Sequence, residues 1–378
     1  MENQGRVAAV MLAGGKGNRL HELTRQTCKP ALPVNGESRI VDWTLRNVVL
    51  SGLSDLIVAT QYQPRVLESH LATVWADRFQ GRLRIRNGVA CTGQPAGYAG
   101  TADAVRCNLA DLRDIGAEHV LVVAADHIYS MDYGAMIRAH VDSGAEVTVA
   151  ANLVRSSEAC AFGVFEEDDT GRVRSFSEKP ERPVELKNQP GCSLVSMGIY
   201  VFDMGWLDEA LSVPGDDFGH DVLPRAYAEG RAHCYRVLTP NGAPIFWRDV
   251  GTLDSYRETC LTLQREPWTC PAPFGRLSPP DTRLSRNGTV ALPGCRIDPG
   301  AQVRNAIVAP GARIRAGDMI GIDHEEDRRW FRVTAGGTVL VTPEMLERRN
   351  NSRLARRRQD ASSCRTVGRT DVQKGVRL

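Results

Sequence analysis

An apolar run near the N-terminus leads directly into a glycine-rich loop, and this pairing constrains the fold more than any other feature. Residues 7–13 are all apolar and end at a glycine, a pattern that predicts a short buried strand. Three glycines and two cations follow within six positions: Gly14, Gly15, Lys16, Gly17 and Arg19. Glycine lets a ligand approach bare backbone amides, and amides beside cations form an anion site. The stretch therefore predicts a phosphate-binding loop at the end of the first strand.

Two common phosphate loops do not match this stretch. The Walker loop needs Gly-Lys followed by Ser or Thr, whereas Gly17 and Asn18 follow Lys16. The dinucleotide loop needs a third glycine three residues after the second, and position 20 is Leu. We therefore expect a different loop that holds a nucleoside triphosphate. The alternative is an ordinary strand-to-helix turn.

Buried strands and amphipathic helices alternate along the first half of the chain. Beyond residue 161 the pattern changes to mixed α+β, with shorter strands at 163–165, 173–178 and 195–202 and a later helix at 252–263. Before it, helices are predicted at 39–51, 64–74, 101–112 and 133–143, and buried strands at 55–60, 120–125 and 147–151. This alternation is typical of an α/β fold with a mostly parallel sheet covered on both faces. In such sheets ligands bind at the carboxyl ends of the strands. The glycine loop and Asp126 both follow predicted strands, so we expect them to face each other.

A six-residue repeat marks the C-terminal part. Apolar residues recur at Ile297, Val303, Val308, Ile314 and Ile320, and glycines recur at 294, 300, 311 and 317. Such a repeat predicts a left-handed parallel β-helix, here of about two coils; the alternative is a Gly/Pro-rich linker. We predict a proline-rich linker at 266–285, a short β-helix at 286–345 and a basic, disordered tail at 346–378.

The bulk composition excludes several classes of protein. Lys and Arg number 47 and Asp and Glu 45, a balance that gives no strong field for nucleic acid. The ten cysteines form no Cys-x-x-Cys pair, so we expect reduced thiols in a cytoplasmic protein. No apolar run approaches the ~20 residues of a membrane span.

Four polar side chains are candidates for chemistry. Asp126 and Asp249 each follow an apolar segment, and two rigidly held carboxylates suit Mg²⁺, which would neutralise charge as pyrophosphate leaves. Glu178 and Lys179 precede Pro180, which could turn both toward one pocket to hold sugar hydroxyls and a phosphate. The alternatives are turn or helix-capping aspartates and a surface ion pair.

These motifs together resemble one enzyme family. They comprise LAGGKGNRL at 12–20, CKPA at 28–31, GTADAV at 100–105, DHIY at 126–129, AFGV at 161–164, EKP at 178–180, SMGIYVF at 196–202, DFGHD at 217–221 and WRDVGT at 247–252. The set resembles the sugar-1-phosphate nucleotidyltransferases, and most closely the glucose-1-phosphate adenylyltransferases. The resemblance spans residues 7–340. It implies a Rossmann-like nucleotidyltransferase domain at 1–265, with a mostly parallel mixed sheet, followed by a left-handed parallel β-helix.

The resemblance also implies roles for individual residues. Lys16, Arg19 and Asp126 would be catalytic, and Asp126 and Asp249 would bind Mg²⁺. The NTP would contact Leu12, Gly14, Gly15, Gly17, Lys29, Gln94, Gly100 and Thr101. The sugar phosphate would contact Gly163, Glu178, Lys179 and Ser196. We expect a homo-oligomer, either a dimer or a tetramer.

The sequence departs from the family pattern at several positions. Gln26 and Thr27 stand where basic residues usually bind an allosteric sugar phosphate, Gly97 precedes Tyr98 in place of Trp, and His220 replaces a lysine near the sugar pocket. These departures leave two hypotheses open beside adenylyl transfer from ATP to glucose 1-phosphate. One is guanylyl transfer from GTP to a cyclitol phosphate such as valienol 1-phosphate in antibiotic biosynthesis. The other is a non-catalytic regulatory subunit.

Overall fold

The computed structural model describes residues 5–34, 36–80, 82–266 and 282–367. The chain divides into two compact units. The first contains the described residues up to Gly251 and also Glu266, and the second contains Thr252–Arg265 together with the described residues from 282 on. This division falls one helix earlier than the predicted boundary at 265.

The first unit alternates strands and helices. Its strands are β1 (Val7–Ala13), β2 (Leu56–Thr60), β3 (Leu83–Asn87), β4 (His119–Ala124), β5 (His127–Tyr129), β6 (Val147–Arg155), β7 (Gly163–Glu167), β8 (Val173–Glu178), β9 (Cys192–Asp203), β10 (Ala232–Arg236) and β11 (Trp247–Asp249). Its helices are α1 (Ile40–Leu50), α2 (Arg65–His70), α3 (Gly88–Thr92), α4 (Thr101–Arg106), α5 (Leu109–Ile115), α6 (Tyr133–Ser143), α7 (Ser156–Ala159), α8 (Met204–Ser212) and α9 (Leu223–Ala228). Short 3₁₀ and π turns connect several of them.

The main sheet confirms the predicted α/β fold. Its strand order is β10-β6-β9-β4-β1-β2-β3. β1 pairs in parallel with both β2 and β4, while β9 runs antiparallel to β4 and β6. The sheet is therefore mixed but mostly parallel, with β1 and its glycine loop near the middle.

Both faces of this sheet are covered by apolar side chains. Ala9 and Met11 of β1 pack on one face with residues of α1, including Val41 and Leu45. Ala8 and Val10 point to the opposite face and pack with residues of α4, α5 and α8. Successive residues of a strand face opposite sides, so a strand buried on both faces is apolar throughout.

One predicted helix is split in the structure. The expected helix at 101–112 is divided between α4 and α5, with Asn108 at the junction. The Asn108 side chain donates a hydrogen bond to the carbonyl oxygen of Ala104 at 2.7 Å. Side chains of this type compete with the helical backbone for hydrogen bonds, which favours a break at such a position.

The second unit contains the predicted β-helix. Its helices are α10 (Leu253–Arg265), α11 (Thr282–Arg286), α12 (His324–Trp330) and α13 (Pro343–Val367). Its strands are β12 (Val290–Ala291), β13 (Arg296–Ile297), β14 (Gln302–Val303), β15 (Ala306–Val308), β16 (Arg313–Ile314), β17 (Met319–Ile320), β18 (Arg332–Val333) and β19 (Val339–Val341). Residue 290 pairs in parallel with 307, 296 with 313 and 302 with 319, so the first coil advances by 17 residues. The next coil is longer, because residue 306 pairs with 339 and the chain between them includes α12 and β18.

The predicted disordered tail needs correction. The structure has α13 from Pro343 to Val367, where disorder was expected from 346 on, while residues 368–378 lie outside the described part. Met345, Leu346 and Arg349 are buried at the start of this helix. The basic composition of this stretch predicts a solvated tail. Burial of a single turn is nevertheless enough to stabilise the start of a helix, even where the following residues are mostly polar.

Two further observations concern the described residues. None of their helices has the length and apolar character needed to span a bilayer. The eight cysteines whose side chains the structure describes are all free thiols.

Candidate active site

A cavity of about 700 Å³ lies at the carboxyl ends of the central strands of the first unit. Ten of the residues predicted for the site line it: Leu12, Gly14, Gly15, Gly17, Arg19, Lys29, Gly100, Thr101, Asp126 and Glu178. The predicted Lys16, Gln94, Gly163, Lys179, Ser196 and Asp249 are not among its lining residues. The glycine loop and Asp126 therefore face each other across one cavity, as the strand order requires.

Lys29 joins the two predicted metal-binding carboxylates. Its Nζ lies 2.9 Å from Oδ2 of Asp126 and 2.7 Å from Oδ1 of Asp249. Only 4% of the lysine is exposed. A buried ammonium that donates to two carboxylates fixes the distance between them, because losing either partner would leave a charge unpaired.

Strand pairing explains why Asp249 lies beside Asp126. β11 runs antiparallel to β5, and Asp249 pairs in register with His127, the residue after Asp126. Trp247, two residues earlier, is buried and packs edge-on against the His127 ring. The short antiparallel pairing of β5 with β11 therefore brings the carboxylates of Asp126 and Asp249 together, although they are far apart in the sequence.

The electrostatic interaction between Lys29 and Asp126 favours the charged form of both side chains. Desolvation opposes ionisation of Asp126, but the nearby Lys29 ammonium outweighs it and lowers the pKa of Asp126 to about 2. Desolvation likewise opposes protonation of Lys29, and the two carboxylates outweigh it and raise the pKa of Lys29. Both groups therefore stay ionised at neutral pH.

Asp126, His127 and Asp249 have the donor types of a divalent cation site. One ligand atom of each lies within 4.8 Å of the others. Two carboxylates fit the oxygen preference of Mg²⁺, and an imidazole suits softer divalent ions. The donor set therefore fits a divalent cation, which would compete with the Lys29 ammonium for the same oxygens.

Arg19 belongs to the same cluster. Its Nη2 lies 3.6 Å from Oδ2 of Asp249. A Cβ atom at Gly251 would lie 2.6 Å from this Nη2 and 2.9 Å from the Asp249 carboxylate. Glycine at 251 therefore leaves the space in which Arg19 and Asp249 meet.

Sequence reasoning missed Gln61, which follows β2 and supports one wall of the cavity. Its Nε2 donates to the carbonyl oxygen of Ala96 at 2.8 Å, and its Oε1 accepts from the Tyr98 backbone N–H at 2.9 Å. Gly97 has a φ of +71°, and a Cβ there would lie 3.0 Å from Cδ of Gln61. The departure at Gly97 thus allows the loop to wrap closely around Gln61. Its position directly after a strand was the one available signal.

The opposite wall is tied to the start of α4. Thr101 Oγ1 donates to Oδ2 of Asp217 at 3.1 Å and accepts from the Phe218 backbone N–H at 2.9 Å. A Cβ at Gly100 would lie 2.2 Å from the carbonyl oxygen of Asp216. Backbone contact this close requires glycine at position 100. Asp217 also lines the cavity and was not predicted.

Glu178 and Lys179 lie at the end of β8. Glu178 lines the cavity, whereas Lys179 reaches its carboxylate with Nζ 2.6 Å from Oε1. Lys179 has a φ of 45°, a strained value for a residue with a side chain. Gly163 pairs with Glu178, and the Phe176 ring fills the space where its side chain would be.

Ser196 supports the next strand. Its Oγ accepts a hydrogen bond from the Gly198 backbone N–H at 3.2 Å, and Gly198 and Tyr200 line the cavity. Sequence reasoning therefore found the strand, but the residues that line the cavity lie two and four positions further on.

Comparison with known proteins agrees with this architecture. Residues 8–266 match the nucleotidyl transferase family, and residues 283–341 match the GlmU-like C-terminal hexapeptide family. The chain therefore belongs to the nucleotidyl transferase family and is an enzyme of that class, with a hexapeptide β-helix in its second unit.

Curated relatives align over nearly the whole chain. The glucose-1-phosphate adenylyltransferase of Jannaschia sp. (strain CCS1) is 37% identical, with 90% of this chain and 96% of the relative covered. The glucose-1-phosphate adenylyltransferase of Nitrosomonas europaea is 36% identical, with 89% and 93% covered. The one from Methylobacillus flagellatus is 37% identical, with 89% and 93% covered. The sequence resemblance to this group of sugar-1-phosphate nucleotidyltransferases is confirmed.

Proposed function

We propose that this enzyme transfers the adenylyl group of ATP to glucose 1-phosphate, releasing pyrophosphate and ADP-glucose, and that it uses Mg²⁺. The observation that carries the proposal is the Lys29 ammonium between Asp126 and Asp249, at the edge of a cavity lined by the glycine loop. Relatives aligned over about nine-tenths of the chain bear the name of this reaction.

The roles of the residues follow from their positions. Amides of the glycine loop and the Arg19 guanidinium would hold the triphosphate, because both line the cavity and supply hydrogen-bond donors. Glu178 would accept hydrogen bonds from sugar hydroxyls, and Lys179 would turn from Glu178 to the sugar phosphate. Asp126 and Asp249 would hold a magnesium ion, which neutralises negative charge on the phosphates.

Phosphoryl-type transfer needs little covalent chemistry from the protein. An oxygen of the sugar phosphate attacks the α-phosphorus of the nucleotide while the bond to pyrophosphate breaks. The protein contributes positioning and charge stabilisation, which agrees with a cavity that combines glycines, cations and carboxylates.

A panel of substrates tests the assignment. Purified chain is incubated with Mg²⁺ and each of ATP, GTP, CTP and UTP, against glucose 1-phosphate or valienol 1-phosphate, and pyrophosphate release is followed. We expect the highest kcat/KM with ATP and glucose 1-phosphate. A higher kcat/KM with GTP and valienol 1-phosphate would contradict the proposal and identify that pair as the substrates. The relatives do not favour that outcome.

The same assay separates an enzyme from a regulatory subunit. The cation and carboxylate residues of the site are all present, so we expect turnover by the purified chain without a partner. Size-exclusion chromatography with light scattering tests the further proposal of a homo-oligomer. Turnover that required a second, different chain would support the regulatory hypothesis instead.

A further inference from the structure

A groove in the second unit is lined by four arginines. It has a volume of about 620 Å³ and is bordered by α10, by the turn after α11 and by the turn between β14 and β15. The four side chains are Arg257, Arg265, Arg286 and Arg304, and we call this site the arginine groove. No described residue lines both this groove and the candidate active site.

Two of these arginines are held in place by neutral partners. Arg257 donates from Nε to Oγ1 of Thr338 at 2.9 Å and from Nη1 to the carbonyl oxygen of Gly288 at 2.9 Å. Arg265 donates from Nη2 to the carbonyl oxygen of Ser285 at 3.0 Å. These bonds orient the guanidinium groups but do not neutralise them.

No carboxylate within the described ranges forms a salt bridge with any of the four. Elsewhere in the chain, converging arginines share an acid: Arg84 and Arg86 both pair with Asp111. Among the described residues that line the groove, Glu258 is the one carboxylate, so these residues carry three more positive than negative charges. Converging like charges repel, and a bound anion would remove that repulsion.

The turn between β14 and β15 completes the groove with polar groups. Asn305 has a φ of 45°, a left-handed conformation that asparagine adopts more readily than most residues, and its backbone N–H donates to the carbonyl oxygen of Asn287 at 2.9 Å. A Cβ at Gly288 would lie 2.5 Å from Oδ1 of Asn305 and 3.0 Å from Nη1 of Arg257. Glycine at 288 therefore keeps this wall open, with two asparagine amides beside the arginines.

We propose that the arginine groove binds a small phosphorylated molecule through its phosphate group. Guanidinium groups match phosphate oxygens with two parallel hydrogen bonds, and a phosphate monoester carries close to two negative charges at neutral pH. Arg286 and Arg304 are exposed, and their guanidinium groups form no salt bridge with the part of the chain that the structure describes, so they can bind the phosphate. The asparagine amides can bind hydroxyl groups of the same molecule.

Binding of inorganic phosphate to the full-length chain tests this proposal. Isothermal titration calorimetry compares the wild type with the double variant Arg286→Gln/Arg304→Gln. The control is Arg315→Gln/Arg328→Gln, which removes the same charge from exposed positions of the second unit outside the groove. We expect at least tenfold weaker binding, or loss of one binding step, in the groove variant alone. Equal binding in all three proteins would overturn the proposal.

A second measurement needs no variant. Phenylglyoxal modifies free guanidinium groups, and peptide mass mapping reports each arginine separately. Phosphate should slow modification of Arg286 and Arg304 severalfold while leaving Arg315 unaffected. Equal rates at the groove with and without phosphate, or protection by citrate as strong as that by phosphate, would contradict a phosphate site.

Discussion

The ammonium of Lys29 lies 2.7 Å from the carboxylate of Asp249, although 219 residues separate the two in the chain. The same ammonium contacts Asp126 at 2.9 Å, so one buried cation holds the two acids that we assign to the metal. A divalent ion and Lys29 would compete for these oxygens. In the proposed enzyme, the lysine is then free to turn to the triphosphate when the metal binds.

Removing the Lys29 charge should change the ionisation of Asp126. In Lys29→Met, desolvation of Asp126 is no longer outweighed, so its pKa should rise from about 2. In the wild type, the lowered pKa of Asp126 stabilises the folded state at pH values above about 3.8, and this contribution is lost as the pH falls toward 2. The variant should lack this contribution to stability. Carboxyl-labelled NMR titration measures the shift. An unchanged pKa would mean that Lys29 does not control Asp126.

Lys179→Ala should raise the KM for glucose 1-phosphate at least tenfold and change the KM for ATP little. Lys179 pairs with Glu178, which lines the cavity, so its ammonium is placed to reach the sugar phosphate. The variant lacks this ammonium and should bind the sugar phosphate more weakly. Steady-state kinetics with each substrate varied in turn measures both constants. Lys187→Ala, at an exposed lysine outside the cavity, is the matched control. A larger effect on ATP would move Lys179 to the nucleotide side.

Gly100→Ala should destabilise the first unit by about 1–3 kcal/mol, because its Cβ would lie 2.2 Å from a backbone oxygen of Asp216. Gly15→Ala has no atom within 4 Å of the added Cβ and should fold normally. Urea unfolding followed by circular dichroism compares the two variants. Equal free energies of unfolding for the two variants would indicate that the backbone at Asp216 can move away from the added methyl group without loss of stability.

The buried His140 should make stability depend on pH. Burial lowers the pKa of His140 to about 4, and its Nδ1 bonds Oγ1 of Thr148 at 2.9 Å. Between pH 6.5 and 4 the unfolded chain binds a proton that the folded chain excludes, so stability falls as pH falls, by roughly 3 kcal/mol in total.

Replacement of this histidine isolates its contribution. His140→Gln keeps a polar partner for Thr148 but cannot titrate, so the difference in urea midpoint between pH 7.5 and 5 should shrink. His324→Gln, at a histidine of α12 that is not among the groups shifting the pKa of His140, serves as the control. The same pH dependence in His140→Gln and the wild type would show that other groups cause it.

Much of the fold and part of the site follow from local sequence. The apolar strands that precede the glycine loop and Asp126 can be recognised in the sequence, and the carboxyl ends of parallel strands lie at the same edge of a sheet. The meeting of Asp126 with Asp249 was only a hypothesis at the level of sequence, because it depends on the register of β5 and β11 across more than a hundred residues. Gln61 was missed for a similar reason, since its partners lie in a distant loop.

Other features were hidden by composition. The basic stretch after 346 indicates a solvated tail, yet burial of Arg349 against Asp318, at 2.7 Å, anchors α13. Gly163 matches a family motif, but its close contacts are with Phe176 and Glu178 and it does not line the cavity. Motif matching finds such a residue without showing whether it packs against the site or lines it.

The most direct test of the account is a Mg²⁺ titration of pyrophosphate release from ATP and glucose 1-phosphate, in the wild type, Asp249→Asn and the control Asp132→Asn, whose carboxylate lies outside the cavity. Circular dichroism first verifies that all three fold. We expect Mg²⁺-dependent turnover in the wild type and the control, and a loss of at least a hundredfold in Asp249→Asn that added Mg²⁺ restores only weakly. Near wild-type turnover by Asp249→Asn at the same Mg²⁺ concentration would contradict the two-carboxylate metal site.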